Sequence, residues 1–575
     1  MSGILLGEKA GIDTELKTLY QMGGIAHILA ISGLHISLLG GLLFRLMRKI
    51  RMPIPAAGVI TIAGLLLYGV MTGMSLATMR AIWMMLILLV AQMFGKSYDM
   101  PTAMGLALFV MLLCNPVRIS DAGMQLSYMA IAGISLGNYG MKRLHKKAGF
   151  RRFQKRYPMR FRMVQSLIYS VTLQGMMLPV VAKTYYEIPV YAGLLNLIVV
   201  PGMTVVVAGS WFGLLVSIGS ISLGRFAMQP VGWILQGYTW LCERTLELPW
   251  NTFVTGEIQG WQIGMWYGGI ACMLVLLRTK TRNKFRDLVY KHTGRFWRKR
   301  EVTRYTVCVI VISMLIQAGG QALCVWQQRT EAICFLDVGQ GDGILIRSPD
   351  GRNIVIDGGS TSQSKCGTYT LLPALRSQGM TEIDCWFVTH TDEDHISGLK
   401  ELLSQGKLAQ IKVRTIVFSA YVFQDAALAE LEAMIQKMGI TIVWMKEGDV
   451  IGDDTFTLTC LHPTAEYHAK DKNAASLALS YHSNTFDMLF TGDMDADAIE
   501  HMDIQQDYDC IKLPHHGSKY SYVEGFYVHA DYGLISCGYN NRYGHPHAEV
   551  LQGLAQEGTK ILRTDEMGAV VFRGR

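Results

Sequence analysis

Between Thr389 and Gly398 the chain reads Thr-His-Thr-Asp-Glu-Asp-His-Ile-Ser-Gly, so His390, Asp392, Asp394 and His395 fall within six residues. Imidazole nitrogens and carboxylate oxygens are the donors that bind Zn²⁺ or Mn²⁺. The apolar run Cys385 to Thr389 precedes them and reads as a strand. A strand end followed by a tight turn points neighbouring polar side chains at one spot. A polar surface loop is the plain alternative, and two His and two Asp packed this closely behind a buried strand count against it. Further donors follow in order. Asp487 to Thr491 is an apolar run that ends in Gly492-Asp493, Cys510-Ile-Lys-Leu-Pro ends in His515 and His516, and His545 lies in Tyr-Gly-His-Pro-His. Each alone is ordinary turn chemistry. Together behind the first cluster they point to a metal centre, and a carboxylate at a strand end can bridge two ions about 3.5–4 Å apart, as two-metal hydrolases need. His462, before Pro463, reads better as a structural loop histidine.

The elements that must carry these donors begin near Ala332. Strands are expected at 333–338, 344–347, 353–359, 383–389, 414–418, 440–444, 455–461, 476–482 and 486–490, with helices at 369–379, 396–405 and 425–438. The turn Ser348-Pro-Asp-Gly and the ending Asp357-Gly-Gly are hairpin chemistry. Mixed strands with helices between them predict an αββα sandwich over residues 330–575, two sheets with helices outside.

The first half is a different material. Half of the whole chain is hydrophobic, but residues 1–330 carry 34 Lys and Arg against 11 Asp and Glu, net +23, while 331–575 carry 19 against 34, net −15. The overall +8 describes neither half, so the basic excess is no evidence of a nucleic-acid surface. Residues 1–22 read as an amphipathic segment in which Asp13 caps a short helix with Leu16, Leu19 and Tyr20 on one face. Spans of roughly 20 apolar residues are expected near 28–46, 56–73, 76–95, 102–118, 122–139, 164–183, 190–217, 228–246, 261–277 and 305–326. Pro201-Gly202 makes 190–217 one kinked helix or two half-helices, and 228–246 is polar enough to lie in the interface. Basic loops at 45–51, 142–162 and 278–304 assign those segments to the cytoplasm. The last span then carries residues 330–575 out of the cytoplasm, with 281–329 comprising a basic loop and that span. His27, His35, Arg80, Asp121 and Gln125 lie at membrane depth or span ends, where polar groups either line a path or pack between helices. Eleven scattered cysteines without a Cys-x-x-Cys pair form no disulfide framework or zinc knot, no cleavable signal peptide is read, and no P-loop pattern supplies an ATP site.

The His390–His395 stretch resembles the His-x-His-x-Asp-His signature of the metallo-β-lactamase fold, with Asp392 in the place of the second His. With DVGQGD, IDGG, NAASLAL, FTGD, LPHHGS and YGHPH, in that order over about 332–549, it is similar to the extracellular domain of ComEC-type competence proteins. HILAISGLHIS and DAGMQLSYMAIAGIS resemble that family's membrane competence domain, which corresponds to residues 23–280 here with the N-terminal segment ahead of it. The resemblance implies a cell-membrane channel for single-stranded DNA in transformation. It also implies a metal-dependent nuclease domain outside that degrades the other strand, and a DNA receptor and a cytoplasmic helicase as partners. It implies His390, Asp394, His395 and Asp493 as metal ligands, with His515 or His516 completing the site. Asp392 would ligate or act as a base, Asp357 would orient ligands from behind, and Asp342 would lie close by. Ser518, Lys519 and His545 would meet phosphate. Two ions of Mn²⁺, Zn²⁺ or Mg²⁺ are expected, the many oxygen donors favouring Mn²⁺ or Mg²⁺ over zinc alone. The additional N-terminal spans and OB-like domain common in the family are not found ahead of this region. Two other classes fit parts of the sequence: a membrane-anchored hydrolase of a small ester or lactone, for which ten spans are excessive, and a DNA channel whose soluble domain binds without cutting.

Overall fold

The computed structural model describes residues 13–277 apart from 30, 32 and 147, and residues 330–574 apart from 503 and 505. The basic segment 278–304 and the span expected at 305–326 lie outside the described residues. The chain divides into two compact units, Met1–Phe253 with Trp266–Gly268, and Val254–Met265 with Gly269–Arg575.

The first unit is helical, as a hydrocarbon environment requires when every backbone polar group must be satisfied within its own segment. Among the described residues its first helix is Thr14–Met22. The Asp13 carboxylate accepts from the Glu15 N–H at 3.1 Å, and Leu19 and Tyr20 are buried. Among the described residues four helices are long and apolar enough to cross a membrane: Ile54–Met71, Leu76–Met93, Pro158–Tyr185 and Ala192–Gly219. Met100–Cys114 is apolar but shorter, and Gly33–Lys49, Ala122–His145 and Ile221–Leu246 are further helices of this region. Pro201 sits inside one continuous helix rather than between two halves. The Tyr238 hydroxyl of Ile221–Leu246 donates to the Val199 carbonyl at 3.3 Å, two residues before the proline that breaks the ladder. Gly202 gives it room: a Cβ there would stand 2.0 Å from that hydroxyl oxygen.

The second unit contains two seven-stranded mixed sheets. In order across the first run Val570–Arg573, Ala332–Phe335, Gly343–Arg347, Asn353–Asp357, Glu382–Val388, Lys412–Ser419 and Thr441–Met445. Across the second run Lys560–Arg563, Ala530–Ile535, Tyr508–Lys512, Asp487–Phe490, Ala478–Ser483, Phe456–His462 and Val450–Gly452. Inward residues of both sheets, among them Phe335, Ile346, Phe387, Phe456, Tyr481 and Phe490, make one core. The outer face of the first sheet, including Trp386 and Val388, packs on residues of the helices Glu393–Gln405 and Ala426–Met438. The outer face of the second sheet buries Leu489 and Ile511 with Ile499 and Leu554 from the helices Ala496–Glu500 and Ala548–Glu557. Trp386 and Phe387 are adjacent and face opposite cores, as the two-residue period of a strand demands. This is the αββα sandwich. The strands that matter for the site, Asn353–Asp357 beside Glu382–Val388 and Asp487–Phe490 beside Tyr508–Lys512 beside Ala530–Ile535, are parallel pairs. Their carboxyl ends face one way, which is where open α/β sheets place their ligands.

Candidate metal centre

Each donor leaves the end of one of those strands. Asp357 closes Asn353–Asp357 with φ 58°, in the left-handed region where a non-glycine residue is strained, and such strain gathers at functional sites. Its carboxylate is buried and accepts three hydrogen bonds: from the Thr389 N–H (2.8 Å), the Thr389 hydroxyl (2.8 Å) and His395 Nδ1 (2.9 Å). His390 follows Glu382–Val388, and His395 lies in the first turn of Glu393–Gln405. Glycines let that helix sit directly on the strand ends. A Cβ on Gly398 would stand 2.1 Å from the Gly358 oxygen, and one on Gly359 2.6 Å from the Asp394 carbonyl carbon. Across this contact the Asp342 N–H donates to the Asp394 carbonyl at 3.1 Å, and the Gly359 N–H to the Asp342 carbonyl at 3.0 Å.

The second sheet supplies the rest. Asp493 follows Asp487–Phe490, its N–H donating to the Ser476 hydroxyl oxygen at 3.2 Å. His515 and His516 take φ 48° and 55° after Tyr508–Lys512, and Gly517 takes φ 79°. This left-handed run turns the two imidazoles apart. His516 is buried and its Nδ1 donates to the Ser536 carbonyl at 2.8 Å, while His515 is half-buried with its ring 6.2 Å from that of His516.

Three buried imidazoles therefore spend Nδ1 on the protein: His390 on the Thr389 and Ser476 hydroxyls (3.1 and 3.4 Å), His395 on Asp357, His516 on Ser536. Their Nε2 atoms are buried without a hydrogen-bond partner. Fixing Nδ1 selects the tautomer that leaves Nε2 as a ligand, the arrangement found behind protein metal ions. Asp394, His395, Asp493 and His516 bring one donor atom each within 4.8 Å of one another. Asp493 Oδ2 lies 3.3 Å from His395 Nε2 and 3.2 Å from His516 Nε2, and Asp394 Oδ2 lies 3.4 Å from His516 Nε2. Two imidazoles and two carboxylates suit Zn²⁺ and Mn²⁺ alike. The electrostatics agree. Burial opposes charge on His516, yet the nearby carboxylates of Asp493 and Asp394 push it up to about 10. Burial likewise opposes charge on His395, and Asp493 and Asp357 raise it well above the ordinary range. Asp394 is lowered to about 2, against its burial, by His516 and His395, whereas burial and the charge on His395 lower His390 to about 4.

The other sequence-predicted residues fall around this cluster. Asp392 is 42 % exposed; its Oδ2 is 3.7 Å from His390 Nε2 and its Oδ1 accepts from Lys472 Nζ at 3.0 Å. Asp342 is buried and lies 3.6 Å from His516 Nδ1. Ser518 is buried, its hydroxyl oxygen accepting from the Tyr520 N–H at 3.4 Å, and Lys519 is exposed beside the Tyr520 ring. The His545 ring is 5.7 Å from His515 and 6.3 Å from His516. His462 is buried with Nδ1 on the Ser476 carbonyl at 3.1 Å. In the helical unit His35 and Arg80 are buried, Arg80 over the Tyr128 ring at 6.0 Å, and His27 is exposed in the turn Ala26–Leu29. Asp121 is exposed and caps Ala122–His145 through the Met124 N–H (2.7 Å), and Gln125 donates to the Ile119 carbonyl (2.9 Å), so both serve that helix start. Sequence reasoning missed Lys512, the last residue of Tyr508–Lys512 and 1 % exposed, whose ammonium pairs with Asp342 and donates to the Gly492 carbonyl at 2.8 Å. The available signal was a lysine inside an apolar strand three residues before the paired histidines, since such a charge is buried only against carboxylates.

The chain matches the family model for competence proteins over residues 4–280 and that of the metallo-beta-lactamase superfamily over residues 336–525. It is 26 % identical to ComE operon protein 3 of Bacillus subtilis, covering 100 % of this chain and 71 % of that protein. It is 24 % identical to competence protein ComA of Neisseria gonorrhoeae, covering 100 % and 74 %, and 25 % identical to recombination protein 2 of Haemophilus influenzae, covering 99 % and 71 %. A helical region with membrane-length spans followed by a sandwich with this cluster is the order in which those two models match, and the chain combines a competence-protein domain with a metallo-beta-lactamase domain and is similar to these competence proteins over its full length.

Proposed function

We propose that the helical unit passes single-stranded DNA across the cell membrane while the sandwich unit, outside the cytoplasm, hydrolyses the phosphodiester bonds of the strand left behind. The observation that carries the second half is the convergence of the orphaned Nε2 atoms of His395 and His516 with the carboxylates of Asp394 and Asp493 at the carboxyl ends of two sheets, with the His390 ring 4.0 Å from that of His395. His395, His516, Asp394 and Asp493, with His390 beside them, would hold a divalent cation, which would supply Lewis acidity toward water and a phosphoryl oxygen. Asp357 holds His395 directly, and His390 through Thr389, in the ligating tautomer. Asp392, half-exposed beside His390, is the group placed to accept a proton at the edge of the centre, and Lys472 holds it there. Lys519 and His545, on neighbouring loops, offer a cation and an imidazole to phosphate, and Ser518 shapes the turn that carries Lys519.

Orientation follows from the basic loops. Four helices, Ile54–Met71, Leu76–Met93, Met100–Cys114 and Ala122–His145, separate the basic ends near 45–51 and 142–162. Four more, Pro158–Tyr185, Ala192–Gly219, Ile221–Leu246 and Gly260–Leu277, separate the latter from 278–304. With each of these eight helices counted as a crossing, even numbers support a cytoplasmic side for all three loops. The test is cleavage of end-labelled DNA by the full chain in detergent with Mn²⁺. Asp394→Ala is expected to lower the rate at least a hundredfold while DNA is still bound. Turnover of simple esters without DNA cleavage, or DNA binding without any turnover by the wild type, would replace the nuclease assignment.

A further inference from the structure

Asp493 is shared between two imidazoles and an ammonium. Its Oδ2 faces His395 Nε2 and His516 Nε2 at 3.3 and 3.2 Å, and its Oδ1 faces Lys512 Nζ at 3.6 Å. Lys512 is also the counter-charge of Asp342, and its third direction goes to the Gly492 carbonyl. The buried oxygens around this ammonium, from Asp342, Asp493 and Gly492, form the all-oxygen set that a hard divalent ion would otherwise take. A second grouping of donors, Asp342, Asp357 and His395, lies beside the main cluster. It is already spent, because Asp357 accepts three hydrogen bonds, His395 Nδ1 is one of those donors and Asp342 holds Lys512. On the other flank His390 Nε2 lies 3.7 Å from Asp392 Oδ2, and Asp392 carries Lys472. For Asp493 to bridge two ions through both oxygens, Oδ1 would have to be released from Lys512.

We propose that Lys512 is a built-in cation that stands where a second metal ion would bind, so that this centre holds a single divalent ion per chain, with Asp493 ligating through Oδ2 alone. The proposal rests on the cluster being a metal centre, and the measurement separates the two. Lys512 is a positioning residue here: its ammonium fixes which carboxylate oxygen reaches the metal. The full chain in detergent is loaded with Mn²⁺, passed through a desalting column and counted by elemental analysis, with electron paramagnetic resonance reporting whether ions are isolated or exchange-coupled. The wild type is expected to retain one ion with an isolated-ion spectrum. Lys512→Met is expected to retain two, with a coupled spectrum, the second ion lying between Asp342 and Asp493 Oδ1. Lys512→Arg, which keeps the charge, should return the count to one. Two ions in the wild type would overturn the proposal while leaving the metal centre standing, and none would overturn both. One ion in the wild type and in Lys512→Met alike would overturn the role given to Lys512. Should the methionine variant fail to fold, the wild-type count decides: one ion with an isolated-ion spectrum upholds the single-ion centre, and two overturns it.

Discussion

Replacing Asp357 by asparagine changes one atom and isolates the job of orienting a ligand from the job of being one. Asparagine is chosen because the residue sits at φ 58°, a conformation that Asn tolerates as Asp does, so the strand end keeps its backbone. The carboxylate accepts from three donors, one on Oδ1 and two on Oδ2. An amide accepts through only one oxygen. If its oxygen stays on the Thr389 N–H, its NH₂ meets the Thr389 hydroxyl and His395 Nδ1. Relief at Nδ1 comes from moving the imidazole proton to Nε2, which blocks the ligating atom. Loss of such an outer partner costs about 10–100-fold in metal affinity, or about 1.4–2.7 kcal/mol. That matches about 1.5–3 kcal/mol for a hydrogen bond to a charged group. The assay is competition of Mn²⁺ or Zn²⁺ between the full chain and a chromophoric chelator, with circular dichroism confirming the fold. An affinity within threefold of the wild type would refute the claim that Asp357 sets the tautomer of His395.

Metal uptake should expel protons, because His395 and His516 are both raised above neutrality and must surrender Nε2. Calorimetry in buffers of different ionisation enthalpy is expected to show release approaching about two protons per ion at pH 7, with affinity climbing as pH rises toward the value of about 10 for His516; no release would contradict the assignment of Nε2 as ligand. Gly398→Ala gains up to about 1 kcal/mol of helix propensity, but its Cβ would stand 2.1 Å from the Gly358 oxygen. Backbone there cannot yield cheaply, so a net loss of about 1–3 kcal/mol is expected in urea unfolding followed through buried Trp386, and an unchanged midpoint would count against the close packing.

Much of the sandwich was legible because its strands announce themselves twice, by alternation and by the polar residue that stops them. Asp357, His390, Asp493 and His516 all stand just past an apolar run, and a run that ends in a ligand tells both where the strand is and where the site is. What sequence could not give was pairing across distance and the hand of a turn. Nothing local says that Asp392 answers to Lys472, 80 residues on, or that Asp342 meets Lys512 from the other sheet. His515 and His516 are chemically identical, and only the left-handed run ending at Gly517 decides that the second points inward. In the helical unit, Asp121 and Gln125 were legible as polar residues in an apolar setting, but capping and a carbonyl just before the helix account for them as fully as a transport path would.

The distribution of donors explains why so acidic a unit can place carboxylates together at all. Asp342, Asp357, Asp394, His390 and His395 come from the first sheet and its helix, Asp493, His516 and Lys512 from the second. Neither sheet alone satisfies its own buried carboxylates. Asp493 is held well below the usual carboxylate range against its burial, by the imidazoles of His516 and of His395 from the opposite sheet, and Lys512 reaches back to Asp342. Breaking one partner of such a network leaves an uncompensated buried charge, which costs far more than the pair contributes. The two sheets are therefore tied together by the same groups that make the centre, and a cation at the Nε2 atoms would take the place of the protons that pair His395 and His516 with Asp493. The centre is pre-organised because the fold needs these ion pairs to bury the carboxylates.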